Sequence, residues 1–305
     1  MSFKGEIFWT GSKEQIWQKY CGFLDLSIKE FMNIQKHLLM EEIELVWDSP
    51  LGKKIIGDKK PESVEEFRQI IPFTTYKDYA PYLEGQSEKY LAIKPASWVH
   101  TSGRGGSFKW VPCAERFVDL WCDTPMASMI LASANRKGEV NIHPGFRLLH
   151  NFPARPYGSG LSLYSVAQRI PLRAIPPVEE SEKMQFQERI AKGFGMALRT
   201  RVDIVTSMSS VLIKTGDAFA ERSPKREFSR SMLHPLVIYR MLRASFWAWR
   251  RKRPVLPRDI WPEIKGIISW GTDTDIYKDK IKSQWGKQPH ELYVFTEGGI
   301  LAVQG

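Results

Sequence analysis

Apolar and polar positions follow two periods along this chain. Over 12–47 they recur at three- and four-residue intervals, which predicts helix. Ile28, Phe31, Met32, Leu38 and Leu39, with Gln35 among them, follow helical spacing and suggest one apolar face. Ser27-x-x-Glu30 has the spacing of a capping box, and Ser49-Pro50-Leu51-Gly52 is expected to end the element. Ser63-x-x-Glu66 opens a short helix, 71–75 breaks it, and Thr75-x-x-Asp78 opens another. A mostly apolar run over 114–135 predicts a long helix. The stretch 138–142 reads as a strand, whereas 143–178 is rich in Pro and Gly and has no clear period. Helices are expected over 181–198 and 228–249. A buried strand is expected over 264–270, then a helix through Gln284 and a strand at 300–303. Strand, loop, helix and strand in that order predict an α/β fold of layered, mostly parallel sheets with flanking helices. A mainly helical segment over 1–95 is expected to pack on an α/β part over 96–305.

Composition narrows the class. The 305 residues are 43% hydrophobic and 26% charged, in the range of ordinary globular proteins and long enough for a large core. Cys21, Cys113 and Cys122 make neither a disulfide framework nor a metal ligand set, and are read as reduced thiols of a cytoplasmic chain. The N-terminus lacks the apolar region of a signal peptide, and no segment reaches the ~18 apolar residues of a membrane span. The net charge of +10 suits an anionic ligand without choosing among nucleotide, nucleic acid and membrane surface. The six histidines are scattered, and no Ser-His-Asp order or metal-ligand spacing stands out. His100 is expected to be a packed strand-end residue, with contact to a phosphate as the alternative.

The chemistry concentrates in 98–112. A short apolar run leads into Thr101, Ser102, Gly103, Arg104, Gly105 and Gly106, with Lys109 just beyond. Hydroxyls can donate to phosphate oxygens, glycines let backbone N–H groups converge on an anion, and a lysine supplies a point charge. The same composition also fits a small-residue surface turn. The spacing is neither a Walker A loop nor a dinucleotide fingerprint. It resembles the phosphate loop of acyl-adenylate-forming enzymes, Thr-Ser-Gly-Thr-Thr-Gly-x-Pro-Lys. Thr101, Ser102, Gly103, Gly106 and Lys109 match in register, whereas Arg104, Gly105 and Phe108 depart.

A second stretch, Glu-Leu-Tyr-Val-Phe-Thr-Glu-Gly-Gly over 291–299, is similar to the Tyr-Gly-x-Thr-Glu segment of the same superfamily, with Val294 in place of its glycine. Residues in 51–82 and the Trp261-Pro262-Glu263-Ile264 run resemble one branch, the auxin-responsive acyl-acid amido synthetases; phenylacetate–coenzyme A ligases are similar in the first of these regions. The resemblance implies the fold of the large N-terminal domain of adenylate-forming enzymes, and ATP and Mg2+ as cofactors. It implies adenine stacking on Tyr293 beside Gly271 and Thr272, an α-phosphate hydrogen bond from Thr296, magnesium on Glu297, and pyrophosphate on the loop and Lys109. Lys109, Thr296 and Glu297 would be the catalytic set. The partners implied are a carboxylic acid substrate, in a pocket between the loop and 143–240, and an amino acid or coenzyme A acceptor. The family's ribose-binding aspartate and small C-terminal lid domain have no counterpart in the 305 residues, so the resemblance covers an incomplete enzyme.

Two further segments have alternative readings. The 155–160 stretch is read as a structural turn, with a second ligand loop as the alternative. The basic, aromatic stretch 239–258 is expected to pack its apolar side on the core and hold its arginines in water; an anionic membrane surface or nucleic acid is the alternative partner. A non-catalytic nucleotide-binding homologue is the alternative to an active ligase.

Overall fold

The structure is a computed structural model that describes residues 6–103, 108–221, 234–271 and 274–304. Six helices come first: α1 (Glu6–Thr10), α2 (Lys13–Cys21), α3 (Ile28–Val46), α4 (Pro50–Ile56), α5 (Val64–Ile70) and α6 (Tyr76–Leu83). The capping boxes set their starts. Ser27 Oγ accepts from the Glu30 N–H while the Glu30 carboxylate accepts from the Ser27 N–H; at α6 the Asp78 carboxylate accepts from both the N–H and the hydroxyl of Thr75, while the Asp78 N–H donates to the Thr75 carbonyl. Ser49 differs from its expected role. Its hydroxyl accepts from the Gly52 N–H and Pro50 occupies the first turn, so it starts α4 rather than only ending α3. The apolar face of α3 is left mostly uncovered. Ile43 is the helix's one buried residue, and Ile28, Phe31 and Met32 are exposed.

A two-stranded antiparallel hairpin follows, β1 (Ser97–His100) with β2 (Trp110–Cys113). Then come α7 (Glu115–Ser133), β3 (Phe146–His150), α8 (Gly158–Arg169), β4 (Leu172–Ile175), α9 (Val178–Ser181), α10 (Phe186–Ala197), β5 (Ile204–Met208) and α11 (Ser209–Ala220). The chain continues with α12 (Pro235–Arg250), α13 (Pro257–Ile260), β6 (Gly266–Trp270), α14 (Thr274–Trp285), β7 (Pro289–Phe295) and β8 (Gly299–Val303). The main sheet has six strands in the order β4-β3-β5-β6-β7-β8, parallel throughout except for β8. The mostly parallel α/β class read from the sequence is the observed one.

Strand alternation divides the core into two layers. Phe146, Leu148, Ile204 and Ile268 face one side, against α1, α2, α7 and α8. Leu149, Val205 and Ile267 face the other, against α10, α11, α13 and α14. There Trp261 and Trp285 stack at 6.0 Å, and each indole N–H donates to a backbone carbonyl, of Ala197 and Leu212 respectively. This pairing lets two large side chains be buried without an orphaned donor.

The 138–142 stretch is not a strand. Val140 and Ile142 are buried in alternation, but the Asn141 amide donates to the Ser133 carbonyl and folds the segment onto the end of α7. The region 143–178, without a period in sequence, holds β3, α8 and β4. Cys21, Cys113 and Cys122 are free and buried, and burial pushes each thiol up to about 12.

Candidate nucleotide site

The loop that carries Thr101 to Lys109 is the turn of the β1–β2 hairpin, so β2 separates it from α7. A helix just past the loop, as expected from sequence, begins only at Glu115. The hairpin base is fixed by two bonds. The Thr101 N–H donates to the Lys109 carbonyl at 3.1 Å, and the Lys109 N–H donates to the Thr101 hydroxyl at 3.2 Å. The Thr101 hydroxyl therefore closes the turn and retains its own proton for a second acceptor. Ser102 is exposed. Gly103 has φ +70° with the Phe108 ring 3.1 Å from where a Cβ would stand, so both backbone and space call for glycine. Arg104, Gly105 and Gly106 lie outside the described residues.

His100 is buried at the end of β1 within a ring cage. Phe108 lies at 4.4 Å, Trp110 at 5.1 Å and Tyr157 at 4.4 Å between ring centroids. Its Nδ1 is 2.9 Å from the Thr101 carbonyl. This is the packed strand-end histidine of the sequence reading. The 155–160 stretch takes part in the same packing, because the His100 backbone N–H donates to the Pro156 carbonyl at 3.0 Å. Arg155 is held by Glu182 at 2.9 Å and lies 3.7 Å above the Tyr164 ring. At the first residue of α8, Gly158 leaves no room for a Cβ against Trp121.

The second motif lies at the β7–β8 turn. Tyr293 is 66% exposed near the end of β7, where the register with β8 shifts between Tyr293 and Val294. Thr296 is half-buried and Glu297 exposed in the turn itself. Gly299 then enters β8 with φ +73°, and a Cβ there would come 2.7 Å from Trp121 Nε1. Ser269 of β6 pairs with Glu291 of β7, and Gly271 follows the end of β6. Gly271 has φ +135° and open space where a Cβ would be. Thr272 lies outside the described residues.

Tyr76 stands against the first motif. At the first position of α6, its hydroxyl accepts from the Trp110 N–H at 2.8 Å and lies 3.2 Å from the Trp110 carbonyl. The Lys109 ammonium lies 5.6 Å from its ring centroid. Burial raises the Tyr76 phenol, the bond to Trp110 lowers it, and the charges of Glu84 and Glu297 raise it further. Lys109 therefore packs over a tyrosine that is itself bonded to the residue after it. Sequence reading placed Tyr76 in a family-like segment but gave it no site role. The available signal was the Thr75-x-x-Asp78 cap, which fixes the next residue at a helix start.

Beneath the β7–β8 turn lies an apolar cavity of about 80 Å³ between α7, α8 and the sheet. Trp121, Met129, Leu163, Trp270 and Val294 line it, with Ser159 and Thr206 among its few polar residues. It borders 143–240 as expected, but its other wall is α7, β6 and β7 rather than the glycine loop. Among the described residues no group of three or more His, Cys, Asp or Glu could hold a metal ion by itself. Nor is any described helix long and apolar enough to cross a membrane.

Residues 21–167 match the family model described as the GH3 family N-terminal domain. The fold is similar to an open conformation of 2-hydroxyisobutyryl-CoA ligase in complex with 2-HIB-AMP and CoA. The TM-score is 0.56 at 14% identity, over 94% of this chain and 58% of that one. It is likewise similar to GH3.15 acyl acid amido synthetase, with a TM-score of 0.56 at 14% identity, over 85% of this chain and 51% of that one. The chain therefore spans little more than half the length of either structure. No curated protein matches it.

Proposed function

We propose that this chain is the nucleotide-binding portion of a ligase that activates a carboxylic acid as an acyl adenylate and passes the acyl group to an amine or a thiol. The observation that carries this reading is the hairpin turn in which Thr101 and Lys109 bond to each other, in a chain whose residues 21–167 match the GH3 N-terminal domain model. Lys109 would supply the cation of the glycine loop, and Glu297 the hard carboxylate of the downstream turn.

In the proposed reaction a carboxylate oxygen attacks the α-phosphorus of ATP. The new C–O–P linkage forms as the bond to the bridging oxygen breaks, and pyrophosphate leaves with the electron pair. The acceptor's amine or thiol then attacks the acyl carbon and AMP departs. Negative charge builds on the leaving pyrophosphate, so fixed positive charge and N–H donors there lower the barrier. Lys109 and the loop backbone supply them. Thr101 and Ser102 add hydroxyl protons. Tyr293 offers an exposed aromatic face for the adenine, which Gly271 would border. Thr296 would hydrogen-bond the α-phosphate.

Glu297 is an exposed, hard oxygen ligand of the kind magnesium takes when substrate phosphates and water complete its shell. Magnesium bound there would polarise the phosphoryl oxygens. The apolar cavity under the turn suits the hydrocarbon part of the acid, with its carboxylate directed at Thr296. A small, largely apolar acid is the matching substrate class.

The test is calorimetry with magnesium-ATP, paired with carboxylate-dependent pyrophosphate exchange, on wild type, Lys109→Ala and Glu297→Gln. ATP binding weakened at least tenfold by Lys109→Ala, with exchange lost in both variants, supports the reading. Binding without exchange by wild type points instead to a non-catalytic nucleotide-binding protein. Absence of ATP binding by a folded chain rejects both.

A further inference from the structure

Helix α12 is amphipathic with its sides reversed. Its buried stripe is narrow and small, formed by Val237, Ala244 and Ala248. Two of its three arginines also turn inward. Arg240 donates to the Ile260 carbonyl and pairs with Glu263 at 3.0 Å; Arg243 donates to the carbonyls of Asp259 and Ile260. The large apolar residues face out. Leu242 is 67% exposed and Trp249 75%, and Tyr239, Phe246 and Trp247 are also exposed. Phe246 contacts both tryptophans, at 5.7 and 6.3 Å between ring centroids, which makes a continuous aromatic patch on the surface. The arrangement expected from sequence therefore holds for the exposed Arg250, Arg251 and Lys252 but not for Arg240 and Arg243, which turn inward, nor for the large apolar residues.

Charge selects what this face meets. The helix sequence PLVIYRMLRASFWAWR holds no Asp or Glu. Arg250, Arg251 and Lys252 stand exposed at its C-terminal end, next to the aromatic patch. Arg253, by contrast, is engaged in a bidentate pair with Asp259, at 2.6 and 2.7 Å. Nucleic acid would need several outward cations in phosphate register, yet Arg240, Arg243 and Arg253 are already engaged by internal acceptors. It would also leave Leu242 against a polyanion with no apolar partner. A bilayer surface meets both features, since acyl chains accept Leu, Phe and Trp while anionic headgroups meet the basic end.

We propose that α12 is a membrane-surface element that lies in the headgroup region of an anionic bilayer, with Leu242, Phe246 and Trp249 inserted and Arg250 and Lys252 on the headgroups. The binding is peripheral and independent of the nucleotide site.

The experiment is co-sedimentation of the 305-residue chain with phosphatidylcholine vesicles, with and without phosphatidylserine. Leu242→Glu, Trp249→Ser and the double variant Arg250→Glu/Lys252→Asn are compared with wild type, and thermal melts verify the fold of each. The expected result is binding to the anionic vesicles that drops at least tenfold in Leu242→Glu and in Trp249→Ser. The charge variant should lose the preference for phosphatidylserine, and added salt should weaken the wild type several-fold. Three outcomes overturn the proposal. One is no vesicle binding by folded wild type. Another is equal binding by the folded Leu242→Glu and Trp249→Ser variants. The third is a wild type that retains DNA or self-associates through this face, with no vesicle binding.

Discussion

The hydroxyl of Tyr76 accepts the Trp110 N–H at 2.8 Å, which ties the first turn of α6 to the strand just after Lys109. This bond joins two segments 34 residues apart in the chain and fixes the base of the hairpin against α6. Tyr76→Phe keeps the ring beneath Lys109 but leaves the partly buried Trp110 N–H without its acceptor. A loss of about 1–3 kcal/mol is expected. Part of it should appear as a KM for ATP raised several-fold with kcat less affected, and steady-state kinetics with a melting curve would separate the two. An unchanged KM would show that the hairpin is positioned by other contacts.

Gly299 and Trp121 make a second constraint. With φ +73° and the indole Nε1 2.7 Å from where a Cβ would stand, Gly299→Ala must distort the backbone, the tryptophan or both. Overpacking of this kind costs about 1–3 kcal/mol, and the left-handed φ adds to it. The melting temperature should drop by several degrees. Since Trp121 also lines the apolar cavity, intrinsic tryptophan fluorescence should shift as well.

The cavity itself gives a specificity test. Ser159 lies on its lining and is half-buried, so Ser159→Phe places a ring into the space without removing a core side chain. The expected outcome is a KM for the acid raised at least tenfold, with ATP affinity within twofold of wild type. Equal loss of both would mean that the substitution disturbs the nucleotide site rather than the acyl pocket.

His150 sets a pH dependence of stability. The ring is fully buried at the end of β3, and its Nε2 is 2.8 Å from the Pro176 carbonyl, which assigns the proton to that nitrogen. Burial pushes the imidazole down to about 4, against the partial help of the Pro176 carbonyl. An unfolded histidine takes up its proton near pH ~6.5. Between those values the unfolded chain binds the extra proton, so this contribution is complete above ~6.5 and falls away toward 4, by up to roughly 3 kcal/mol. Urea midpoints from pH 7 to 4.5 should fall more steeply for wild type than for His150→Gln.

Asp259 acts in a lower window. Burial opposes its ionisation, but hydrogen bonds from Arg253 and the Leu256 N–H outweigh that and hold the carboxyl below its usual value. Its contribution is present above ~3.9 and is lost only as pH falls further.

Local signals were legible where one energy term dominates. The capping pairs at Ser27, Ser63 and Thr75, the long α7 and the buried β6 all appear in the sequence, because caps and continuous apolar runs act over a few residues. The two motifs were also legible as residues, though not the packing of Tyr76 against Lys109 and Trp110, which depends on how α6 docks. Periodicity reveals a helix's two sides but not which one is buried. In α12 the carbonyls of Asp259 and Ile260 draw the arginines inward, and that acceptor set exists only after α13 has formed. The alternation over 138–142 misled for a related reason, since burial there comes from docking on α7 without any strand partner.

The three sequestered thiols leave the protein chemically quiet toward maleimides and iodoacetamide. A cysteine introduced at an exposed position such as Leu242 would be the reactive thiol of choice, with Cys21, Cys113 and Cys122 left in place. A polarity-sensitive dye attached there would report the depth of α12 at a lipid surface, and one at Ser102 would follow the glycine loop as nucleotide is added, both without rebuilding the core.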